Sequence, residues 1–446
     1  MFSNAQLKKM IVPLFLEQLL IMLVGLADSF VVSYAGEAAV SGVSLVYSFN
    51  TIFLYLFTAR ASGGAVVVSQ YIGRKSADKA SESVSQLLTV STVFSVVISI
   101  PILLFSESLL RMLFGSVEPA VMDACMTYLR ISVYSYPAIA VYNAGAALYR
   151  SIGKTSVTMY VSIISNVINV AGNIIGVFYL HAGVAGVAWP SLIARTFSAV
   201  VITILCFTKK SGVRYFNRWI FKWNGLLQKQ MLAIAIPNGI ESGVFQFVKV
   251  ALSSLVAMFG TYQIAANGIA QSIWSIASVA SVAMGPVFIT VIGQCMGADD
   301  AAEAEMYFKK LLKLSILISV GWNALVFAAT PFVMQAYAVS EETRQLVIQL
   351  VLIHNLFNAL IFPFADPLGK GMRAAGDVKF TMYISLFTTI GVRLVFSYLF
   401  GLVLGMGVIG IAYAMCLDWT VRAVIFWVRF KTGKWKSFRV LEAKTA

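Results

Sequence analysis

Long apolar stretches alternate with short polar ones along the whole chain. Twelve apolar stretches are each long enough to cross a bilayer as a tilted helix. They cover residues 10–35, 42–70, 86–106, 123–147, 155–180, 184–207, 231–259, 264–295, 310–332, 346–368, 379–402 and 406–429. The pattern predicts an all-α polytopic membrane protein of twelve transmembrane helices, with no room for a soluble domain.

Composition agrees with this prediction. Hydrophobic residues make up 59% of the chain and charged residues 12%, about half the charged share of soluble proteins. The four cysteines, Cys125, Cys206, Cys295 and Cys416, lie far apart in apolar settings. Their spacing predicts neither a disulfide nor a metal site, and we expect no cofactor.

The chain contains an internal repeat. Aligning residues 13–73 with 237–297 without a gap gives 13 identities in 61 positions. Pro13, Glu17, Gly36, Gln70 and Gly73 fall on Pro237, Glu241, Gly260, Gln294 and Gly297. The repeat continues 223 residues apart at 150–160 and 373–383, and 224 apart at 183–189 and 407–413. Six spans are thus followed by six similar ones, and an even number makes the two repeats parallel in the membrane.

Basic residues alternate from one side of the predicted spans to the other. Of 33 Lys and Arg residues, 25 lie on one side and only Arg111 and Arg344 on the opposite side. The positive-inside rule makes the first side cytoplasmic, with both termini there, in a bacterial-type plasma membrane. The net charge of +14 therefore indicates topology rather than nucleic-acid binding.

The basic run from Lys209 to Lys229, with Trp219 and Trp223 as interfacial anchors, joins the two halves. We therefore predict an N-lobe over residues 1–207, a cytoplasmic linker over 208–230, and a C-lobe over 231–446 that ends in a basic cytoplasmic tail. The N-lobe and C-lobe would rock against each other about the linker. We expect a monomer in the lipid bilayer.

Asp28 is the most informative charged residue because it lies well inside the first span. A carboxylate at that depth costs several kcal/mol, so it is a functional candidate by default. Its repeat partner is Leu252. A carboxylate in an apolar pocket can take up a proton and, when ionised, attract an organic cation. The alternative is that Asp28 only pairs with a buried base such as Arg195 or Lys249.

The order and doubling of several short motifs resemble the multidrug and toxic-compound extrusion (MATE) family over essentially the whole chain. The motifs are Asp28 followed by Gly36-Glu-Ala-Ala-Val-Ser-Gly42, Ser69-Gln-Tyr-Ile-Gly-Arg-Lys75, Ile292-Gly-Gln-Cys-Met-Gly297 and Arg373-Ala-Ala-Gly-Asp377. The resemblance implies a transporter, not an enzyme, that exports organic cations and aromatic drugs by alternating access in exchange for H⁺ or Na⁺. It also implies that Asp28 is the main coupling residue. We expect a prokaryotic member, with the DinF-like branch as a candidate.

Two departures from the family bear on the coupling ion. Proton-coupled archaeal and DinF-like members carry Asn-x-x-x-Asp in the fifth span, where this chain has Asn169-Val-Ala-Gly-Asn173. The Na⁺-coupled branch has a Glu in the seventh span at the position of Phe245. Glu241 lies one turn earlier, and both it and Glu17 could instead serve to close the cytoplasmic side. We predict H⁺ coupling, with Na⁺ beside Asp28, Asn169 and Asn173 as the alternative.

Two C-lobe acids are further candidates. Asp377 matches an Asp implicated in the Na⁺-coupled branch, although it could equally cap a helix or pair with Arg373 or Lys379. Asp366 precedes Pro367, where an Asp-Pro pair also commonly ends a helix.

Other charges inside the spans are predicted to support the site. Lys249 and Arg393 are expected to face the lobe interior. Asp418 and Arg422 are spaced as an i, i+4 ion pair. Pro286 is the proline most expected to kink its span.

Two other functions stay open. A lipid-linked oligosaccharide or lipid flippase of the same superfamily would use several basic residues in a cavity. A membrane-embedded prenyl-transferring enzyme is suggested by Asp299-Asp-Ala-Ala-Glu303. That string equally suits the start of a helix, where negative charge is stabilising, and the chain has no second acidic cluster.

Overall fold

The structure is a computed structural model that describes residues 1–115, 117–208, 212–220, 222–335, 337 and 339–441. Every regular element among these residues is helical, as expected where backbone groups must satisfy one another in lipid. In chain order the α-helices are α1 Asn4–Ser33, α2 Glu37–Gly73, α3 Ala77–Leu104, α4 Ser106–Phe114, α5 Pro119–Val133, α6 Tyr136–Ser151, α7 Thr155–Ile174, α8 Ala185–Phe207, α9 Asn217–Ile220, α10 Gly225–Val256, α11 Thr261–Ala277, α12 Val279–Gly297, α13 Ala301–Gln335, α14 Glu341–Leu360, α15 Phe362–Ala365, α16 Pro367–Ala375, α17 Val378–Leu386, α18 Val395–Tyr398 and α19 Gly407–Lys431. π-Helices cover Ile175–Tyr179, Phe387–Leu394 and Leu399–Val403, and short 3₁₀-helices Ala257–Phe259 and Lys434–Ser437.

The protein is an all-α polytopic membrane protein, and each of the twelve predicted spans falls on helix. Within the described ranges, ten helices are long and apolar enough to cross a membrane. An eleventh span is a pair of helical segments, Glu341–Leu360 and Phe362–Ala375, bent by 57°. The twelfth, predicted over 123–147, is divided between α5 and α6, which are 15 and 16 residues long.

The chain forms two compact units. The first unit is Asn4–Ile236, and the second unit combines Met1–Ser3 with the described part of 237–446. The first unit buries a core that includes Leu129 and Tyr136, and the second unit a core that includes Ala270 and Leu350. Each unit therefore has an apolar core of its own.

The described part of the predicted linker 208–230 belongs to the first unit, where it binds α3. Ser81, Ser85 and Thr89 lie four residues apart and so share one face of the helix. The Ser81 and Ser85 hydroxyls accept the backbone N–H groups of Arg214 and Phe216 at 3.2 and 3.1 Å. The Thr89 hydroxyl donates to the Ile220 carbonyl at 2.7 Å. Lys209 and Lys210 of the basic run lie outside the described residues.

The internal repeat extends to the backbone positions that need a positive φ. Gly36 and Gly260 precede α2 and α11 with φ of 103° and 92°. Gly153 matches Gly376, and Gly183 matches Gly407. Lys75 and Asp299, 224 positions apart, both have positive φ although neither is glycine, at 59° and 60°. The equivalent turns of the two halves are thus built in the same way.

The π-helices explain why the repeat shifts by one residue. Ile175–Tyr179 and Leu399–Val403 are equivalent at a shift of 224. Phe387–Leu394 lies between the segments that align at 223 and at 224, and has no counterpart in the described first half. A wide π turn absorbs a single inserted residue, so this element accommodates the extra residue of the second half.

The span predicted over 264–295 is interrupted at a serine, while the kink expected at Pro286 stays a prediction. α12 runs through Pro286, and the helix break lies eight residues earlier at Ser278, between α11 and α12. The Ser278 hydroxyl donates to the Ser275 carbonyl at 2.9 Å. A hydroxyl that bonds locally to the backbone competes with the helical pattern, which favours a bend there.

Candidate functional site

Asp28 is held by two amides of α7. The Asn169 Nδ2 group donates to the two carboxylate oxygens of Asp28 at 3.3 and 3.1 Å. Asn173 Nδ2 donates to Asp28 Oδ1 at 2.7 Å. Because the two asparagines are four residues apart on one helix face, both reach the same carboxylate. Asp28 is half-buried, whereas Asn173 has no exposed surface.

The two amides that bind Asp28 differ in their other contacts. Asn169 is oriented by a further hydrogen bond, whereas the amide oxygen of Asn173 has no partner in the described chain. The Ser191 hydroxyl of α8 donates to Asn169 Oδ1 at 3.1 Å, so Nδ2 points at Asp28. Asn173 Oδ1 is buried without a hydrogen-bond partner among the described residues. This oxygen is an acceptor available beside the carboxylate.

Asp28 is not neutralised by a base. Arg195 attracts the Asp28 carboxylate electrostatically. The hydrogen bond of its Nη1 group, however, goes to the Ser135 hydroxyl at 2.7 Å. Lys249 is exposed and so does not face the packed interior of its unit, contrary to expectation. Within the described chain, no ion pair joins Asp28 to either residue, so the simple pairing alternative is wrong.

Glu17 and Glu241 form equivalent ion pairs in the two units. Arg150 Nη2 lies 2.8 Å from Glu17 Oε1, and Arg373 Nη2 lies 2.7 Å from Glu241 Oε2. Since Arg150 and Arg373 are themselves repeat partners, the pair as a whole is repeated. The Thr158 hydroxyl also donates to Glu17 Oε2 at 2.9 Å. Glu17 and Glu241 therefore link helices within their units.

The two further C-lobe candidates are also ion-paired. Asp366 Oδ2 lies 2.7 Å from Lys370 Nζ on the next turn. Asp377 is buried and pairs with Arg429 Nε at 2.8 Å, rather than with Arg373 or Lys379 as expected. It precedes α17 without capping the helix through its side chain.

Arg393 has an acidic partner from another helix. Its Nη2 group lies 2.8 Å from Asp418 Oδ2, and the predicted pair of Asp418 with Arg422 is confirmed at 3.0 Å. Helical spacing within one span could not reveal the Arg393 contact, because Asp418 reaches Arg393 from α19. Both Arg393 and Asp418 are buried.

The acidic string Asp299 to Glu303 starts a helix. Asp300 Oδ1 accepts the backbone N–H of Glu303 at 2.8 Å, and Asp299 Oδ1 lies 3.6 Å from Arg439 Nη2. These contacts confirm the interpretation as a helix start, where carboxylates stabilise free N–H groups.

An all-helical chain of twelve spans, with a two-fold internal repeat and a carboxylate inside its first span, defines a membrane transporter rather than an enzyme. The sequence pattern described as MatE matches residues 13–175 and 237–399, one match in each half. The chain belongs to the MatE family of transporters.

Bacterial proteins are among those similar to the chain, and similar structures have the same fold. The chain is 24% identical to the "Uncharacterized transporter YisQ" of Bacillus subtilis over 95% of its own length and 93% of the relative's. It is 21% identical to the "Probable multidrug resistance protein NorM" of Thermotoga maritima, over 98% and 94%. A structure described as the outward-facing conformation of a multidrug resistance MATE family transporter aligns with a TM-score of 0.90 at 19% identity, covering 96% and 95%.

Proposed function

We propose that the chain exports organic cations and aromatic drugs in exchange for protons, and that Asp28 is the coupling residue. One observation carries the proposal. Among the carboxylates well inside the predicted spans, Asp28 receives only amide N–H groups, whereas the others are ion-paired within the described chain. The others are Glu17, Glu241, Asp366 and Asp418. The multidrug-resistance names of several relatives point in the same direction.

The chemistry of the Asp28 site suits competition between a proton and a cation. An ionised carboxylate in an apolar layer is costly unless it is neutralised, and two neutral amides supply hydrogen bonds but no charge. Either a proton or an organic cation would provide the missing positive charge. Because one occupant removes the attraction for the other, inward movement of the proton is coupled to outward movement of the cation.

The orientation of the amides favours a proton over Na⁺. A metal cation needs oxygen ligands, but Asn169 and Asn173 both present Nδ2 to Asp28. Turning Asn169 would break its bond from Ser191. A protonated Asp28 needs only one acceptor, and rotation of the Asn173 amide would supply its unpartnered Oδ1.

The basic residues in or at the ends of the spans that would serve a flippase are Arg60, Arg130, Arg195, Lys249 and Arg393, and three of them have polar partners in the structure. Arg60 donates to Gln228, Arg195 to Ser135, and Arg393 pairs with Asp418. These contacts lie inside single units and each uses one Nη group, whereas Arg60 Nε and Nη1 and Arg393 Nε have no acceptor in the described chain. The flippase therefore stays the alternative that a transport assay tests.

The cellular setting is part of the proposal. The asymmetry of basic residues supports a multi-pass protein of a bacterial-type plasma membrane with both termini cytoplasmic. The predicted N-lobe and C-lobe, 1–207 and 231–446, would alternate access about 208–230, and the protein would act as a monomer. The DinF-like branch stays a prediction.

Ethidium accumulation in a pump-deficient bacterial host tests the export function. Cells expressing the chain should retain less ethidium than cells with empty vector, and Asp28→Asn should restore retention at equal membrane expression. Asp123→Asn makes the same chemical change at an exposed carboxylate and should behave like the parent. Unchanged dye retention by the parent would overturn cation export and favour the flippase.

A further inference from the structure

The second unit buries two arginines around a single carboxylate. Asp418 has no exposed surface, and its two oxygens lie 2.8 Å from Arg393 Nη2 and 3.0 Å from Arg422 Nη2. The cluster therefore carries one positive charge more than negative charge. Buried charges in proteins are normally paired, so an unbalanced charge calls for a further partner.

The unused hydrogen-bonding capacity lies on Arg393. Arg422 is held by Asp418 and by the hydroxyls of Thr388 and Thr389, at 3.0 and 2.9 Å. Arg393 is only 7% exposed, and its Nε–H is buried without an acceptor among the described residues. An arginine fork with free donors matches a carboxylate, which can accept two parallel hydrogen bonds.

The neighbours of Arg393 supply no second acid. The Phe245 ring faces Arg393, with its centroid 5.3 Å from Cζ. An aromatic face attracts a cation through its quadrupole but does not neutralise it. His354, close enough to interact with Arg393 electrostatically, is buried with both ring nitrogens unpartnered in the described chain. A neutral imidazole adds no negative charge either.

The repeat places this cluster at the counterpart of the Asp28 site. At the shift of 224 shown by the paired π-helices, Arg393 corresponds to Asn169 and Ser397 to Asn173, while Leu252 corresponds to Asp28. The second unit thus has a leucine where the first has its carboxylate, and an arginine one turn before Ser397, as Asn169 lies one turn before Asn173. The two equivalent sites have opposite charge preferences.

We infer that Arg393 is the centre of an anion-binding site in the second unit, and that it takes the carboxylate of an aromatic substrate. Phe245 offers a ring to an aromatic body, and the Arg393 fork offers donors to a carboxylate. The assignment of the ligand as a substrate rests on the proposed export function, whereas the anion site itself does not.

Equilibrium binding of radiolabelled benzoate to the purified full-length protein tests the site in a low-chloride buffer. The decisive variant is Phe245→Glu, which keeps Arg393 but supplies an internal carboxylate beside it. Phe245→Gln is the matched uncharged control, and Arg393→Gln removes the fork directly. Benzyl alcohol, which keeps the ring but lacks the charge, should not compete with benzoate.

We expect saturable benzoate binding to the parent, about tenfold or more weaker in Arg393→Gln than in the parent, and about tenfold or more weaker in Phe245→Glu than in Phe245→Gln, which loses the same ring without adding charge. No saturable binding to the parent, or equal affinity in Phe245→Glu and Phe245→Gln, would mean a hydrated structural ion cluster only and would overturn the inference. The assay uses no gradient, so a failure of cation export in cells leaves its outcome unaffected.

Discussion

The carboxylates well inside the predicted spans differ in their partners. Most pair with a basic side chain, whereas Asp28 is held only by neutral amides. Glu17 is 1% exposed and receives Arg150 Nη2 and the Thr158 hydroxyl at 2.8 and 2.9 Å. Asp28, only eleven positions further along α1, receives two neutral amides. A carboxylate in α1 thus stabilises the structure at Glu17 and is proposed to exchange a proton for a cation at Asp28.

Replacing Glu17 with Gln should strongly destabilise the protein because it removes the carboxylate that pairs with the Arg150 charge. The loss expected for breaking a buried pair is about 3–5 kcal/mol. Glu241→Gln should cost a similar amount, since the side chains of Arg373 and Glu241 are 14% and 18% exposed, against 26% and 2% for Arg150 and Glu17. Thermal unfolding of the purified protein would measure both.

The control for this comparison is Glu107→Gln, which breaks an exposed pair with Arg111. Such a pair contributes roughly 0–1 kcal/mol. Equal melting temperatures for Glu17→Gln and Glu107→Gln would contradict the structural role of the Glu17 pair.

Sequence reasoning identified Asp28 and its two asparagines but did not find most ion-pair partners. Asp28 was predictable because a carboxylate in an apolar span is conspicuous, whereas Asn169 and Asn173 were found through the family's Asn-x-x-x-Asp pattern in the fifth span. The Glu17 to Arg150 pair left a signal that was not used, since both members recur at Glu241 and Arg373. Asp418 as the partner of Arg393 left none, because the contact depends on the packing of α19.

At the scale of the helices, close approach depends on glycine at defined crossings. A Cβ on Gly186 of α8 would lie 2.6 Å from the carbonyl oxygen of Gly176. In the second unit, a Cβ on Gly410 would lie 2.6 Å from the backbone of Phe400. Small residues of this kind let membrane helices approach where lipid provides no hydrophobic drive for their association.

Gly186→Ala should therefore destabilise the first unit, because the obstacle is backbone and cannot rotate away. Overpacking of this kind costs about 1–3 kcal/mol. Gly321→Ala is the control, since a Cβ there meets nothing within 4 Å and alanine is the better helix former by roughly 0.5–1 kcal/mol. The melting temperature should be lower than the parent's for Gly186→Ala and equal to or higher than the parent's for Gly321→Ala. The reverse order would contradict the close backbone approach at Gly186.

Hydropathy predicted where helices lie but not where they break. All twelve predicted spans are helical because their apolar length leaves no alternative in lipid. The interruption at Ser278 was not predicted, because proline is the stronger general signal and the only proline of that span is Pro286. The decisive contact, from the Ser278 hydroxyl to the Ser275 carbonyl, is not visible in the residue pattern.

At the scale of the whole chain, the repeat preserves backbone geometry while the chemistry of the two halves diverges. Four pairs of positive-φ positions recur, and so do the pairs of Glu17 and Glu241 with arginine. Asp28 does not recur, because Leu252 occupies its equivalent position. The turns and the Glu–Arg pairs are thus common to both halves, whereas the intramembrane carboxylate of Asp28 is present in the first half alone.

Labelling of two engineered cysteines tests the predicted topology. The four native cysteines are all buried, so reaction with a maleimide reports on the engineered positions. Arg111→Cys in α4 should react with a membrane-impermeant maleimide in intact cells. Arg218→Cys in α9 should react only after the cells are permeabilised, as expected for a cytoplasmic position. Both side chains are exposed. Labelling of Arg218→Cys in intact cells would contradict cytoplasmic termini.

The most direct test of the account is cation transport by the reconstituted protein in vesicles with an imposed pH gradient or an imposed Na⁺ gradient. The pH gradient alone should drive transport by the parent and by Asp123→Asn, while Asp28→Asn should fall to the level of protein-free vesicles with its folding intact. Transport driven by Na⁺ alone would contradict proton coupling. Full pH-driven activity in Asp28→Asn would contradict the role proposed for Asp28.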